Sequence, residues 1–465
     1  MKKVYFCLLS ILAVCATLTS CSNEDEILSR VPAESLIVGK VNVTRLADDF
    51  GVKITGEDIQ LPDYLQSTDI DADNLKALAS LNKAVDLDQV VMISEDGSTF
   101  TFIAKITDKD ALNLLMKDQE ADVAEEEDAT IYTVKTFGNV IVKDKLLWLI
   151  SNGSGKVADI EAIEAKAKEN SILKLKGCAN LLSKDNLFTL AVNTKSADET
   201  AAEYTVPELL DCWAGVEINA VDNKLVCESS QFKADGSELK LEEIGEINSS
   251  ILSYVPSTFR AAIAFGKLPE SQIDMLYKLI NSRAAYQARA IMGVIEPYIR
   301  AIDGTVMIAA GPKSDEFYQY PSIETLDAIL MIHMPQDKIN EAVNMINSQL
   351  TMLSVTPVEV SEGLYGIDFG GLNIYYGTVD GYLAFSTINL VNNNSNDLTK
   401  YFVNHKFAGV VNVPSLSTFD TSLPAWAPLI YFQSADMGKG KAVIELQGTT
   451  EPFFETLGRF FATMK

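Results

Sequence analysis

The body of this chain repeats itself, and the repeat constrains the fold more than any other feature of the sequence. The segments VPAESLIVGKVNV at 31–43 and VPSTFRAAIAFGKL at 255–268 both lead into a helical pattern. Further matching segments follow in the same order, at offsets between 213 and 237 residues, and one of them pairs Trp213 with Trp426. Because ordered self-similarity marks a structural unit that is used again, the sequence predicts two homologous halves, 28–245 and 246–465.

Each half reads as groups of short strands separated by helices. The strands are rich in valine, isoleucine, phenylalanine and tyrosine and are joined largely by tight turns. A turn at Asp144–Lys145 matches one at Asp380–Gly381, a favoured two-residue hairpin turn. The pattern predicts an α+β fold in which each half is a mainly antiparallel sheet with helices packed on one face, and with three short strands between the second and third helices. A parallel α/β arrangement is the alternative.

The first 20 residues have the pattern of a lipoprotein signal peptide. Two lysines precede an apolar stretch from Val4 to Leu18, which has 15 residues and is shorter than a membrane span. The sequence Leu-Thr-Ser-Cys that ends at Cys21 fits a bacterial lipobox. We therefore expect cleavage before Cys21 and acylation of Cys21, so that the attached lipid anchors the chain to a membrane. A cleaved secretory signal followed by a chance cysteine is the alternative.

Residues 21–27 are predicted to form an acidic tether, because Ser-Asn-Glu-Asp-Glu follows Cys21 directly. An acidic run at this place resembles the surface-export tag of lipoproteins in Bacteroides-type bacteria. It implies an outer-membrane lipoprotein that is exposed at the cell surface. The alternative is a solvated linker that only holds the body away from the membrane.

The order of these parts also resembles a family of Bacteroides-type lipoproteins that is classed as a domain of unknown function. The resemblance rests on the lipobox, on the VPAES opening before a strand and on the two-part body. It covers most of the chain and implies a secreted, lipid-anchored location. It implies no activity, so it assigns no functional residues.

Composition excludes several function classes. The net charge of −26 is unfavourable for a nucleic-acid binder, since affinity for phosphate comes from cationic side chains. Only two histidines are present, His333 in a predicted strand and His405 near a predicted helix end, and neither belongs to a zinc or triad motif. We expect His333 to be half-buried and hydrogen-bonded, and His405 to sit where a cation is favoured. The sequence predicts no metal and no cofactor.

Two motifs resemble binding loops but have simpler explanations, and the cysteines form no pattern of a disulfide scaffold. LLWLISNGSGK at 146–156 has valine where a phosphate loop needs serine or threonine, so an ordinary helix start explains it. Asp69–Asp73 lacks the glycine and the terminal glutamate of a calcium loop, so helix capping explains it. Of the cysteines after Cys21, Cys212 and Cys227 lie on neighbouring predicted strands, but a turn at 222–223 places Cys227 opposite residue 218. Free cysteines are therefore expected.

The two halves differ in charge and in aromatic content. Residues 21–245 carry a net charge of −21 and residues 246–465 carry −7, while 12 of the 16 tyrosines follow position 245. Phe317, Tyr318 and Tyr320 crowd a predicted loop of the second half. Stiff aromatic side chains on a loop favour contact with a sugar or a protein partner, so these three residues are the candidate ligand contacts. The alternative is that the loop covers its own core.

The sequence therefore favours a lipid-anchored lipoprotein of the cell envelope that acts as a non-enzymatic binding or structural module. The membrane is its expected partner through the lipid, and a glycan or a protein is the expected ligand. One alternative is a carboxylate-based glycan hydrolase, since paired carboxylates can act as acid and base. A second alternative is a subunit of an envelope assembly.

Overall fold

The computed structural model describes residues 24–463 except for 56–57, 67–78, 136–137, 197–206, 284–285, 319, 321, 323, 393–396, 420–422 and 437. The predicted signal peptide, Cys21 and the segment Asp69–Asp73 lie outside the described residues. The chain divides into two compact units. Unit 1 contains residues up to 197, then 209–239 and 449–465, and unit 2 contains 198–208 and 240–448. None of the helices that the structure describes is long and apolar enough to cross a membrane.

Unit 1 is built on one antiparallel sheet of ten strands. The strands lie in the order β12 (Lys224–Phe232), β11 (Trp213–Val221), β10 (Phe188–Asn193), β1 (Ile37–Val41), β4 (Val85–Ser94), β5 (Thr101–Ile106), β9 (Leu146–Ile150), β8 (Gly138–Lys143), β7 (Ala129–Val134) and β6 (Asp122–Glu126). A small hairpin pairs β2 (Lys53–Thr55) with β3 (Asp58–Gln60). The helices are α1 (Glu24–Leu28), α2 (Val43–Asp49), α3 (Asp63–Gln66), α4 (Lys109–Asp118), α5 (Val157–Glu169), α6 (Lys176–Leu182) and the C-terminal α10 (Phe453–Thr463).

Unit 2 has ten strands in the corresponding order. They are β22 (Lys439–Gln447), β21 (Ala427–Asp436), β20 (Phe407–Asn412), β13 (Ala261–Phe265), β14 (Val306–Pro312), β15 (Leu326–His333), β19 (Tyr382–Ser386), β18 (Leu372–Val379), β17 (Leu364–Phe369) and β16 (Val358–Ser361). Its helices are α7 (Glu270–Arg283), α8 (Tyr286–Arg300) and α9 (Gln336–Met352). Both units are therefore α+β with antiparallel pairing, as the sequence predicts.

Helices pack on both faces of the unit 1 sheet, so the prediction of one covered face is wrong there. In unit 1, Ile160 of α5 and Leu182 of α6 join the core on the face of Val38, whereas Leu112 of α4 packs on the opposite face with Val90. The arrangement is not apparent from the sequence, because the central strands are apolar on both faces. Such strands do not show the alternation of apolar and polar residues that marks a single buried face. In unit 2, α9 packs on one face, and 3₁₀ turns at Ser249–Tyr254 and Asp397–Tyr401 pack on the other.

Four strands, not three, follow α4 in unit 1. The missed strand is β6, in which every residue of Asp-Val-Ala-Glu-Glu is exposed. Its counterpart in unit 2, β16, is also exposed along its length. A strand that is exposed on both faces lacks the apolar alternation by which strands are recognised.

The hairpin turns follow the sequence closely. Asp144 and Lys145 have positive φ of 49° and 63°, and Asp380 and Gly381 have 46° and 80°, so both units carry a primed two-residue turn at this place. Cys227 lies opposite Ile218 as predicted, and the free cysteines are confirmed for the described residues.

The pairing of Trp213 with Trp426 is not reproduced by the register. Trp213 lies opposite Asn193, the last residue of β10. In unit 2 the last residue of β20 is Asn412, which lies opposite Leu429. Trp426 precedes β21, so Leu429 takes the place of Trp213. Two tryptophans in similar segments gave a sequence match three residues out of register.

Two predicted boundaries also change. Within the predicted tether 21–27, residues from Glu24 onward form α1, in which Ile27 is buried and Glu26 pairs with Lys105 at 2.9 Å. The C-terminal helix α10 was assigned to the second half, but it contacts α2, α3 and β11 of unit 1. Apolar periodicity predicts that a helix packs and leaves its packing partner open.

Candidate functional site

The most unusual surface of unit 2 is a stretch of bare sheet, which we call the open face. It consists of five large apolar side chains that are exposed on neighbouring strands, namely Ile263, Ile308, Phe407, Val411 and Ile430. A contiguous apolar patch on a protein surface marks an interaction site more often than a chance exposure.

Strand register brings these side chains together. Ile263 of β13 is the direct partner of Ile308 on β14 and lies opposite Gly409 of β20 on its other side. Phe407 and Val411 flank Gly409 two residues away, so they point to the same side of the sheet. Val411 is in turn the partner of Ile430 on β21. Four adjacent strands thus present one apolar layer.

Gly409 leaves room for an aromatic cover within this layer. A Cβ at position 409 would overlap the ring of Phe432 on β21, so the ring lies across the glycine. Phe407 contacts the same ring with centroids 5.0 Å apart. The pair stiffens the middle of the open face and adds aromatic surface to it.

Helix α9 borders the open face. Its residues Ile339 and Val343 share a core with Leu383 of β19 and with Ile332 of β15. Ile332 of β15 is the partner of Val306 on β14. Val306 lies two residues before Ile308, so the two side chains point to the same side of the sheet. Helix α9 therefore covers the same side of the sheet over β15 and β19, and the apolar layer continues beyond it over β14, β13, β20 and β21.

The candidate contacts Phe317, Tyr318 and Tyr320 lie just past the end of β14. Phe317 and Tyr318 belong to a 3₁₀ turn at Asp315–Tyr318. Tyr318 packs edge-on against Phe419 at 5.2 Å and against Phe317 at 5.7 Å, while Tyr320 is 69% exposed. The structure thus gathers Phe317, Tyr318 and Phe419 into an aromatic cluster, with the exposed Tyr320 two residues after Tyr318. The sequence analysis missed Phe419.

The aromatic cluster and the open face share one end of the sheet. Strand β14 leads to the cluster from Pro312, and β20 leads to Phe419 from Asn412. Both strands flank Ala261, the first residue of β13. The cluster therefore lies at the end of the sheet where β14 and β20 end.

Unit 1 contains a shallow groove of about 410 Å³ between α4 and the β6–β7 hairpin. Lys109, Asn113 and Lys117 line one wall. On the other wall, Tyr132 donates to Asn113 at 2.5 Å and Thr130 donates to Glu125 at 3.0 Å. Glu125 is the single carboxylate in this lining, so the groove does not hold the pair of carboxylates that glycoside hydrolysis needs.

A cluster of charges lies at one corner of unit 1. The carboxylates of Glu127, Asp128 and Glu161 come within 4.8 Å of one another. Lys143 already serves two of them, at 3.4 Å from Asp128 and 2.8 Å from Glu161. Burial acts to lower the pKa of Lys143, but its bonds to Glu161 and Asp128 raise it overall. A protonated amine at this point explains the carboxylates without a metal ion.

Behind this cluster, Glu164 is a buried carboxylate with a side chain that is 4% exposed. It accepts a hydrogen bond from Arg30 and lies 3.8 Å from Lys143. Arg30 also contacts Asp144 at 3.2 Å. Paired charges of this kind fix the geometry of a core.

The histidines are placed apart. His333 ends β15, and its Nδ1 lies 2.7 Å from Asp303 Oδ1, as expected for a hydrogen-bonded strand residue. For His405 the expectation of a favoured cation is wrong. Burial lowers its pKa, and its Nδ1 is buried without a hydrogen-bond partner, so the neutral ring is the favoured form.

The segment 146–156 forms β9, a turn and the start of α5. Asp159 Oδ2 accepts from the backbone N–H of Lys156 at 2.9 Å, which caps the helix. A carboxylate therefore occupies the helix start that a phosphate would need, and the simpler interpretation of this segment is confirmed.

The open face was missed at the sequence level, although a signal was present. Strands β13, β14 and β20 read AAIAF, VMIAAGP and FAGVVN, with no charged residue on either face. Such strands are typical of sheets that are covered on both sides.

Comparison of the chain with protein-family models, with curated proteins and with solved structures gave no match. The site therefore has to be interpreted from its own geometry.

Proposed function

We propose that this chain is a lipid-anchored lipoprotein of the cell envelope that binds a partner through the open face of unit 2 and acts as a binding module rather than an enzyme. The observation that carries the proposal is the open face itself. Its isoleucine, valine and phenylalanine side chains are exposed on four adjacent strands, and the free energy falls when such side chains are transferred out of water. The lipobox that ends at Cys21 supports the location.

Burial of the exposed part of these side chains contributes strongly to the free energy of binding. Removing apolar area from water contributes about 25 cal/mol per Å². Ile308 is 51% exposed and Val411 is 42% exposed, so each has roughly half of its side chain still to bury. Several such side chains form the kind of apolar centre on which protein interfaces depend.

Photo-crosslinking in the cells that produce the protein tests the binding proposal. A photoreactive amino acid replaces Ile308 in one variant and Val391 in another. Val391 is 65% exposed in the same unit but lies after β19, away from the open face. We expect a discrete covalent adduct from position 308 and none from position 391. Equal labelling at both positions, or none at 308, would contradict the proposal.

Detergent phase partitioning tests the anchor. The variant Cys21→Ala lacks the thiol that takes the lipid, so we expect it in the aqueous phase or as an uncleaved precursor. Ser22→Ala keeps the thiol and serves as the matched control, which we expect in the detergent phase. A processed Cys21→Ala chain in the detergent phase would refute the lipoprotein assignment.

We propose in addition that the two units arose by duplication. Support comes from a pair of contacts at matching places. Arg30 contacts Asp144 in unit 1, and Tyr254 donates to Asp380 in unit 2. Arg30 and Tyr254 each precede the matching Val-Pro segment, and Asp144 and Asp380 each open the same hairpin turn.

A further inference from the structure

The open face has the dimensions of a site for one helix. Its four strands span three inter-strand spacings, which amount to about 14 Å. An α-helix with its side chains is about 10–12 Å wide. Helix α9 already packs on the adjacent strands of the same side, and Tyr298 of α8 joins its core. A further helix laid over β14, β13, β20 and β21 would extend this layer.

A flat partner fits this place poorly. Helix α9 stands next to the open face as a wall, since a packed helix rises roughly 10 Å above a sheet. A second sheet laid on β14, β13, β20 and β21 would meet this wall, whereas a helix would lie alongside it. The site is thus continuous with an existing helix-on-sheet interface of the same unit.

Unit 1 shows how the corresponding layer is filled. Val43 of α2 packs in the same core as Leu112 of α4, and α2 contacts β4. Helix α10 lies beside α2 and α3 and contacts β11. Its Phe454 meets Phe50 with ring centroids 4.9 Å apart, and its Phe453 is 4% exposed. An amphipathic, phenylalanine-rich helix is therefore part of the helix layer of unit 1.

Charge further restricts which helices could bind at the open face. Three of the four strands of the open face, β13, β14 and β20, contain no ionisable side chain. A helix that docks here needs a contact side free of charge, since a charge buried without a partner is costly. Residues 246–465, which contain most of unit 2, carry a net charge of −7, so a cationic outer side of the helix is favoured over an anionic one.

We infer that the open face is a docking site for one amphipathic helix of another protein, with an aliphatic or aromatic contact side and a neutral or basic outer side. The inference rests on the proposed binding function and names its class of partner. Helix α10 of the same chain is the structural precedent for the chemistry of such a helix.

Fluorescence anisotropy with a labelled peptide of residues 449–465, the α10 sequence, tests the inference on the intact protein. We expect saturable binding at one peptide per chain. Ile308→Asp is expected to weaken binding at least about tenfold, and Val411→Thr, which keeps strand propensity, several-fold. Val391→Asp, an exposed change in the same unit, is the matched control and should bind like the unaltered chain. A peptide with Phe453→Glu and Leu457→Glu should not bind.

Three results would overturn the inference. Absence of binding is one. Binding that Ile308→Asp and Val411→Thr leave unchanged is another, since it would show that the peptide displaces α10 from unit 1. Concentration-dependent dimers of the unaltered chain that Ile308→Asp abolishes would make a second copy the occupant. Failure of the peptide with a positive crosslink from position 308 in cells would leave the binding function standing and remove only the helix as its partner.

Discussion

The open face of unit 2 differs from the corresponding face of unit 1, although both sheets have the same strand order. The strands that correspond are β1, β4, β10 and β11 in unit 1 and β13, β14, β20 and β21 in unit 2. Register places Met92 where unit 2 has Ile308, and Ala214 where it has Ile430. Met92 and Ala214 are half-buried, whereas Ile308 and Ile430 are exposed. The two sheets share one topology, and the layers above them differ.

The difference indicates which part of the design is free to vary. Pairing order is fixed by many backbone hydrogen bonds, and a strand cannot move without breaking several of them. A helix layer is held by side chains, which can be replaced one at a time. On this side unit 1 has α2, α4 and α10. Unit 2 has α9 with Tyr298 of α8 in its core, and its strands β14, β13, β20 and β21 keep exposed apolar side chains. The place where the layer is incomplete is the place where a partner can add to it.

A second difference concerns the contact made by the residue before the Val-Pro segment. Arg30 in unit 1 serves both Asp144 and the buried Glu164. Tyr254 in unit 2 donates a hydrogen bond to Asp380. Unit 1 therefore holds a network of charges at a place where unit 2 has a phenol that is hydrogen-bonded to Asp380 and Asn392.

The largest expected effect comes from breaking that network. In Arg30→Met, the carboxylate of Glu164 would remain buried with only Lys143 at 3.8 Å. Leaving a buried charge without its partner costs about 3–5 kcal/mol, so we expect a marked loss in the free energy of unfolding. Urea unfolding followed by tryptophan fluorescence measures it, since Trp148 and Trp213 lie in the core of unit 1.

The control for this prediction removes both charges. Arg30→Met combined with Glu164→Gln should recover part of the stability, because no uncompensated carboxylate remains. Tyr254→Phe at the matching place of unit 2 should cost less, about 1.5–3 kcal/mol for one bond to a charged group. Equal losses in Arg30→Met and Tyr254→Phe would show that the two units use this place alike.

The next effect contrasts the two faces directly. Met92→Asp and Ile308→Asp introduce the same charge at matching strand positions, so strand propensity affects both alike. Met92 is half-buried and packs close to Gly39, so we expect a loss of about 2–3 kcal/mol from desolvation. Ile308 is half-exposed, so we expect about 1 kcal/mol or less. Denaturant midpoints of the two variants measure the difference, and a larger loss for Ile308→Asp would mean that its face is covered.

Much of the fold is readable from the sequence, and the reasons are local. The turn at Asp144–Lys145 fixes a hairpin because positive φ is needed at both residues, and the repeat then predicts the turn at Asp380. The position of Cys227 opposite Ile218 follows from counting back from a turn. The site is less readable, because Ile263, Ile308 and Val411 come from distant segments and become neighbours only through register.

The errors have physical causes as well. Strand β6 escaped recognition because an exposed strand has no apolar alternation. Helix α10 was recognised, but its apolar side could pack on either unit, and only tertiary contacts decide between them. Phe317, Tyr318 and Tyr320 were identified as a loop group, while Phe419 was missed because about a hundred residues separate it from them.

A smaller effect depends on pH. Burial, followed by the bond to Asp380, raises the pKa of Tyr254 to about 12 from 10.0. The folded state therefore favours the protonated phenol, and its stabilising contribution is complete below pH 10 and is lost as the pH rises through about 12.

Stability measured from pH 9 to pH 12 checks this expectation. Tyr254→Phe should flatten the decline between pH 10 and 12 relative to the unaltered chain. Tyr320→Phe, a change in an exposed tyrosine, is the matched control and should leave the slope as it was. An unaltered slope in Tyr254→Phe would show that this phenol does not contribute to the high-pH loss.

The smallest stability effect is expected where the aromatic cluster meets solvent. Tyr318 contacts Phe317 and Phe419, and Tyr320 is largely exposed. None of the three candidate residues joins a described core cluster. Replacing all three by alanine should lower the melting temperature by less than about 4 °C, since about 1 kcal/mol shifts a unit of this size by 2–4 °C.

The same triple variant should weaken partner binding by several-fold, because the cluster adds aromatic surface at the end of the sheet where β14 and β20 end. Phe402→Ala gives the scale for a core loss in unit 2, since Phe402 is fully buried and truncation of a buried phenylalanine costs about 3–5 kcal/mol. If the triple variant melts as early as Phe402→Ala, the cluster covers its own core and the contact surface ends with the strands. If it melts late and binds weakly, the surface that distinguishes unit 2 from unit 1 includes this loop.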